Sequence, residues 1–225
     1  MTEQVEKYVV FDTEGNGLFE FKDPVTKEPI PADAPGQPRL ASIAFVFCDA
    51  EGVAMRRDRY YIKPDGWSIH DQDQKSRDAG RITASQVNGL TDEFLTENGV
   101  PVQEVLDIWH SIIDRGLIAA AYNAQHDCKQ IRAELRRAGM DDRFEETRNT
   151  CLMRAMKAYK EQGLALGRGG WVKLAVACEF FGFTGFDWHN AEDDTDAAVM
   201  IMQRMIRDGT LIEPKVHYAA GHNDA

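Results

Sequence analysis

The sequence predicts an α/β fold in which helices cover one mixed β-sheet. Three short segments rich in strand-forming residues come early in the chain, and a fourth lies between two amphipathic segments. The 225 residues suffice for one domain with its own core, and no internal repeat or low-complexity segment indicates a second domain. We therefore expect a single domain over residues 1–210 and a tail over 211–225 that is disordered from residue 213 onward.

The predicted strands follow from short apolar runs bounded by turn residues. Residues 7–12 and 40–48 are such runs, and each indicates a buried strand. Residues 57–62 predict a third strand, which the turn residues at 49–52 join to the second strand as a hairpin. Residues 117–122 predict a fourth buried strand.

Two early segments lack any periodic pattern. Residues 19–39 contain five prolines and predict an irregular insertion, and residues 63–81 are polar and predict a loop. In the rest of the chain, apolar residues recur at helical spacing. The predicted helices cover residues 101–114, 126–137, 151–160, 172–181 and 193–207.

Composition and charge exclude several classes of protein. No apolar run reaches the roughly 18 residues that a membrane span needs, and residues 1–7 lack the basic start and apolar stretch of a secretory signal. The four cysteines are widely spaced, which favours reduced thiols in the cytoplasm over a disulfide framework or a zinc site. The net charge of −11 argues against holding nucleic acid by phosphate neutralisation alone, although bound cations reverse a local field. No basic tract indicates tracking along a long strand.

Two carboxylates follow the first predicted strand. Because side chains alternate along an extended chain, Asp12 and Glu14 should lie on the same side. Two adjacent acids repel each other unless a cation lies between them, so the pair indicates a metal site. A plain turn explains the pair equally well, since Asp and Gly are common where strands end.

Two further carboxylates lie on the apolar sides of predicted helices. Asp127 is in register with Ile131, and Asp194 with Ala198 and Ile201. An acid in a first helical turn often serves only the helix dipole, but an unpaired carboxylate that faces a core is costly. Four converging carboxylates would supply only oxygen ligands, which favours Mg²⁺ or Mn²⁺ over zinc.

His189 lies five residues before Asp194, in the loop that enters the last predicted helix. A lone histidine in a loop is usually a surface residue, but one beside a metal ligand can act as a general base for water.

Two glycine-containing segments do not form a nucleotide-binding motif. No GxGxxG follows Gly15, and Gly163 to Gly170 contain no GK[ST] sequence.

Three segments of the chain match one set of motifs. They are Phe11-Asp12-Thr13-Glu14 with Gly17-Leu18, then Tyr122 to Asp127, then His189 to Asp194. In this order they resemble the motifs of the DEDDh superfamily of DnaQ-like 3′→5′ exonucleases, whose members include the proofreading subunit of bacterial DNA polymerase III, RNase T and oligoribonuclease. The resemblance extends over about residues 7–207, and residues 82–95 resemble the linker that precedes the second motif.

The resemblance implies an RNase H-like fold and two ions of Mg²⁺ or Mn²⁺, about 3.5–4 Å apart on either side of the scissile phosphate. It implies that Asp12 bridges both ions and that Glu14 and Asp194 complete the site of the ion that activates water. Asp127 would serve the second ion, and His189 would take the proton from the attacking water.

The resemblance also implies hydrolysis of phosphodiester bonds at a 3′ end of DNA or RNA, with release of nucleoside 5′-monophosphates. The backbone near Gly17 and Leu18 would hold the terminal nucleotide, and Asn123 and Trp188 are further candidate substrate contacts. Trp188 is able to stack on a base, although a packing role explains it as well. We expect a single-stranded substrate, and a homodimer or a polymerase partner is left open.

A second interpretation is a catalytically idle nucleic-acid-binding or scaffold subunit with the same fold. The presence of all five catalytic residues argues against it, since an idle relative has no reason to retain them. A zinc hydrolase fits less well, because only one histidine lies near the acids and no cysteine accompanies it.

Overall fold

The computed structural model describes residues 5–218, which form a six-stranded sheet in the order β3-β2-β1-β4-β5-β6. The central strand β1 pairs antiparallel with β2 and parallel with β4, so the sheet is mixed, as predicted. The predicted hairpin joins β2 to β3. The strands are β1 (Tyr8–Gly15), β2 (Leu40–Cys48), β3 (Ala54–Tyr61), β4 (Ile118–Ala121), β5 (Arg148–Cys151) and β6 (Lys215–Val216).

Helices flank the sheet on both faces. They are α1 (Ile69–Asp78), α2 (Ala84–Asn88), α3 (Asp92–Asn98), α4 (Val102–Asp114), α5 (Ala124–Arg137), α6 (Leu152–Ala155), α7 (Leu174–Phe181) and α8 (Ala191–Asp208). The predicted helix over 151–160 is only partly α-helical, since a 3₁₀ segment continues from the end of α6 over Met156–Gln162. Within residues 5–218, no helix has the length and apolar character needed to cross a membrane.

The core has one apolar cluster on each face of the sheet. Phe11 of β1 packs in a cluster with Ile131 of α5. Val10, the residue before it, faces the other way and packs in a cluster with Met202 of α8. Because side chains alternate along a strand, Asp12 continues the face of Val10 and points toward α8.

The prediction of a loop over residues 63–81 is wrong, because α1 lies there. Only Ile69 and Asp73 of this helix are buried, so its sequence lacks the apolar period that marks a packed helix. The helix starts at a cap instead: the Ser68 hydroxyl accepts a hydrogen bond from the Asp71 N–H at 3.0 Å.

The insertion over residues 19–39 is irregular, as predicted, and it packs onto α5. Phe19 and Ala32 are buried in a small cluster with Ala133 of that helix. The Nη2 atom of Arg137 donates a hydrogen bond to the carbonyl oxygen of Ala32 at 2.6 Å. The insertion is therefore part of the folded domain, and it packs against the helix that carries Asp127.

The last described residues are folded, so the expected disorder from residue 213 is wrong for them. β6 pairs with β5, and the Tyr218 ring packs edge-on against Phe144 with the ring centroids 5.5 Å apart. Residues 219–225, the rest of the expected tail, lie outside the described residues.

Candidate active site

Three carboxylates converge where the end of β1 meets the start of α8. The helix begins after Asn190, whose side chain accepts a hydrogen bond from the Glu192 N–H at 3.0 Å. Asp12, Glu14 and Asp194 each offer an oxygen atom, and these atoms all lie within 4.8 Å of one another. We call these three residues the acidic cluster. Asp12 and Glu14 thus lie on one side of the strand, as the alternation predicts.

Asp127 lies beside the acidic cluster, in the first turn of α5. Its Oδ1 atom accepts hydrogen bonds from the Thr13 hydroxyl at 2.7 Å and from the Thr13 N–H at 3.2 Å. Thr13 faces α5 because it follows Asp12 on an extended strand. Asp127 does not belong to the acidic cluster. Its negative charge nevertheless raises the pKa of Asp12, and among the causes of that rise only burial has a larger effect. The fold therefore brings all four predicted carboxylates into one region.

Burial and mutual repulsion disfavour ionisation of these carboxylates. Burial raises the pKa of Glu14 to about 8 and that of Asp194 to about 6. Burial, followed by the charges of Asp127, Glu14 and Asp194, raises the pKa of Asp12 well above its ordinary value. A cation bound among these oxygens would favour the charged form of each, so metal binding would offset the repulsion.

The atoms of the acidic cluster fit a hard divalent cation. All three donors are carboxylate oxygens, the ligands that Mg²⁺ and Mn²⁺ prefer, and the cluster contains no cysteine or histidine. The Oδ1 atom of Asp194 is buried and has no hydrogen-bond partner within the described part of the chain. Buried polar atoms are almost always paired in folded proteins, so a role as a cation ligand accounts for this oxygen.

His189 lies in the loop before α8, close to Asp194. Its backbone φ is 69°, in the left-handed region that residues other than glycine seldom adopt. Its side chain is exposed, so water reaches it. Burial raises the pKa of Asp194, whereas a hydrogen bond from the His189 backbone, and then the His189 side chain, oppose this effect, so the two residues are neighbours.

Two clefts meet at His189. The first cleft, of about 330 Å³, is also lined by Glu14 and Asn88. The second, of about 720 Å³, is mainly apolar and is lined by Asn123 and Trp188. We call this second one the apolar cleft. Two of the predicted substrate contacts therefore share a cleft with the predicted general base.

Gly17 and Leu18 line neither of these clefts. They border a separate cavity of about 270 Å³ between the insertion and α1, together with Lys75 and Arg81. Of the predicted substrate contacts, Asn123 and Trp188 thus line the apolar cleft, whereas Gly17 and Leu18 line this separate cavity.

Asn88 contacts the acidic cluster, although the sequence alone did not single it out. Its Nδ2 atom donates to the Glu14 Oε2 at 3.4 Å and to the Gly15 carbonyl oxygen at 3.2 Å. Burial raises the pKa of Glu14, and this hydrogen bond opposes that effect. The signal available in the sequence was the position of Asn88 within residues 82–95, the segment that resembles a family linker.

Replacement of Asn88 by alanine is expected to weaken metal binding about 10–100-fold, the usual effect of removing a hydrogen-bond partner of a metal ligand. Loss of this bond raises the pKa of Glu14 further, so fewer carboxylates are ionised near neutral pH. Thermal melting during a Mn²⁺ titration measures the change. Asn98→Ala, which removes an amide from the end of α3, is the matched control. Equal Mn²⁺ affinity in the two variants would exclude this role for Asn88.

Three solved structures illustrate the similarity of this fold to known proteins. E. coli exonuclease I in complex with a dT13 oligonucleotide superposes with a TM-score of 0.67 at 17% identity, over 89% of this chain and 41% of that one. The exonuclease I from Methylocaldum szegediense superposes with a TM-score of 0.64 at 17% identity, over 89% of this chain and 40% of that one. Cell-death related nuclease 4 superposes with a TM-score of 0.63 at 13% identity, over 91% of this chain and 65% of that one. No family model and no curated protein sequence matches the chain.

The similarity lies in the arrangement of strands and helices. The chain spans 41% of the length of the E. coli exonuclease I chain, so it corresponds to one part of that protein. Within that part, the mixed sheet and its flanking helices superpose over most of the present chain. The protein therefore has the RNase H-like fold of these exonucleases.

Proposed function

We propose that the protein is a metal-dependent 3′→5′ exonuclease that acts by two-metal-ion catalysis. The observation that carries this proposal is the acidic cluster, whose three carboxylates offer oxygens within 4.8 Å of one another. The cluster lies at the end of the central strand of a fold that exonucleases share, which supports the same conclusion.

The carboxylates would hold two divalent ions, Mg²⁺ or Mn²⁺. Asp12 would contact both ions, and Glu14 and Asp194 would complete one of the two sites. Asp127, fixed by its hydrogen bonds from Thr13, would serve the other. When bound, the ions would neutralise charge on the scissile phosphate and lower the pKa of the attacking water.

His189 is the proposed general base. It lies in contact with solvent where the two clefts meet, and it lies beside Asp194. Its imidazole takes a proton from the water that attacks phosphorus. The bond from phosphorus to the 3′ oxygen of the preceding nucleotide then breaks, and that oxygen takes a proton from solvent to become a 3′ hydroxyl. The released nucleotide keeps its phosphate on the 5′ oxygen.

Digestion of end-labelled oligonucleotides tests the proposal. With Mg²⁺ or Mn²⁺, the protein should shorten 5′-labelled strands stepwise and release nucleoside 5′-monophosphates, and EDTA should stop the reaction. A phosphate on the 3′ end should slow digestion, whereas a phosphate on the 5′ end should not. DNA and RNA, each as single strands and duplexes, should be compared in the same assay, and an Asp127→Asn preparation controls for a contaminating nuclease.

Several outcomes would contradict the proposal. An idle binding subunit would release no nucleotide with any substrate or metal. Shortening from the 5′ end would show that the polarity is wrong, and release of internal fragments would indicate an endonuclease.

A further inference from the structure

A group of exposed cations near the apolar cleft is not neutralised by acids. Arginines elsewhere on the surface form salt bridges, for example Arg57 with Asp196 and Arg204 with Asp208. Other exposed cations, such as Lys7 and Arg207, also form no salt bridge between residues 5 and 218, so it is the grouping of cations around one aromatic ring that indicates a site for an external anion. Near the apolar cleft, four exposed cations form no salt bridge with any residue between 5 and 218, namely Arg154, Lys157, Arg168 and Lys173.

These cations surround the indole of Trp171. The Arg154 guanidinium lies 5.9 Å and the Lys157 Nζ lies 5.8 Å from the centroid of its ring. Arg168 and Lys173 line the apolar cleft together with Trp171. We call Trp171 and the four cations the basic patch. Trp171 is 42% exposed, so part of its surface is open to solvent.

A tight glycine turn fixes Trp171 at the surface. The Gly167 N–H donates a hydrogen bond to the Trp171 carbonyl oxygen at 2.9 Å. Gly169 has a φ of 74°, and a Cβ atom there would lie 2.9 Å from the indole Nε1. Only glycine allows the turn to fold this closely against the ring, so the backbone of the turn holds Trp171 in its exposed position.

The apolar cleft joins the basic patch to the proposed catalytic residues. It is lined by Trp171 and also by Trp188, His189 and Asp194. Its volume of about 720 Å³ lies within the range of ligand-binding sites. Aromatic rings beside cations are the usual means of binding single-stranded nucleic acid, because bases stack on the rings and phosphates contact the cations.

We propose that the basic patch binds single-stranded nucleic acid and leads the strand into the apolar cleft. This proposal rests on the proposed function and assigns its substrate class. Unpaired bases stack on Trp171, and the phosphates on either side lie against the cations. A duplex hides its base faces, so the same surface selects single strands over duplexes.

Strand binding is measured separately from cleavage. A fluorescein-labelled oligothymidylate and the matching oligouridylate are titrated with protein in a His189→Gly background, which slows consumption of the strand and suits the left-handed backbone at this position. Trp171→Ala should weaken binding about 5–100-fold, and Trp171→Phe, which keeps a stacking ring, should weaken it much less. Arg154→Gln with Lys157→Gln should weaken binding and reduce the salt dependence of log affinity by roughly 0.7 for each lost phosphate contact.

The control pair is Lys7→Gln with Arg207→Gln. It removes the same charge from exposed positions just before β1 and near the end of α8, away from the ends that carry the acidic cluster. The control should bind as the parent protein does. Equal weakening by the two pairs would overturn the proposal, as would unchanged binding by Trp171→Ala in a variant that melts like the parent. A blunt duplex that depends on Trp171 as strongly as the single strand does would also overturn it.

Failure of the proposed function gives a different result. The p-nitrophenyl ester of thymidine 5′-monophosphate is too short to reach beyond the active site, so its hydrolysis by the native protein measures the proposed catalysis without strand binding. If the native protein cleaves neither this ester nor any strand, the nuclease proposal fails. Strand binding that still depends on the basic patch would then support the binding surface, and binding independent of it would overturn that proposal too.

Discussion

Asp12→Asn is expected to abolish nuclease activity and, at the same time, to stabilise the metal-free protein. Asp12 is the proposed ligand of both ions, and loss of several kcal/mol of charge stabilisation corresponds to a rate loss of about 10³-fold or more. Without metal, ionisation of Asp12 is opposed by burial and by the charges of Asp127, Glu14 and Asp194. An amide in its place removes that repulsion while keeping the shape of the side chain.

The stabilising effect has a definite pH dependence. The pKa values of Asp12 and Glu14 are raised in the folded protein, so the folded state holds more protons than the unfolded state. Its free energy of unfolding therefore falls as the pH rises. For Glu14 this loss extends from about pH 4.5 to about pH 8. In EDTA, the Tm advantage of Asp12→Asn over the native protein should grow as the pH rises above the ordinary pKa of an aspartate, because only the native protein carries the raised pKa of Asp12.

Calorimetry near the two ends of that window, with EDTA or with Mg²⁺, measures both effects. Mg²⁺ should raise the Tm of the native protein and have little effect on Asp12→Asn. Asp196→Asn is the matched control, since it removes an acid from the exposed side of α8, where it pairs with Arg57. It should retain activity, because an exposed ion pair contributes little. Native activity of Asp12→Asn, or equal stabilisation of that variant by Mg²⁺, would show that Asp12 is not a ligand.

Removal of the His189 imidazole is expected to lower the rate about 10²–10⁴-fold, the usual loss when a general base is removed. Metal binding should survive, because the acidic cluster contains no histidine. Single-turnover digestion measures the rate, and a Mn²⁺ titration followed by thermal melting measures metal binding. Two variants separate chemistry from strain: His189→Gly suits the left-handed backbone at this position, whereas His189→Ala does not. Equal rate loss in both variants would identify the imidazole as the cause.

His70→Ala is the control for this experiment, because His70 is an exposed histidine on α1 next to Asp71. It should digest strands at the native rate. If His189→Gly instead loses metal affinity to the extent that Asp194→Ala does, His189 is a ligand and the general base must be sought elsewhere.

Side-chain periodicity accounts for what the sequence predicted well. β2 is buried along its whole length, so its nine-residue apolar run predicted its bounds. The strand period of two placed Asp12 and Glu14 on one side, and the helix period placed Asp127 and Asp194 toward the sheet. Each of these positions depends on local geometry alone, which is why the convergence of the carboxylates was predictable.

The features that were missed depend on contacts or on surfaces without a period. α1 is almost entirely exposed and is marked only by its Ser68 cap. Asn88 reaches Glu14 across 74 residues of sequence, which no local pattern encodes. The cations of the basic patch are spread over residues 154–173, so they form no basic tract in the sequence and come together only in the folded chain.

The hydrogen bonds between Thr13 and Asp127 join residues 114 positions apart, and Asp194 comes later still. During synthesis at about 5–20 residues per second, tens of seconds would pass between the appearance of Asp12 and that of Asp194. Until α8 leaves the ribosome, the nascent chain contains two members of the acidic cluster and lacks the third. The acidic cluster therefore cannot assemble, and cannot bind a cation between its three carboxylates, until α8 has been made.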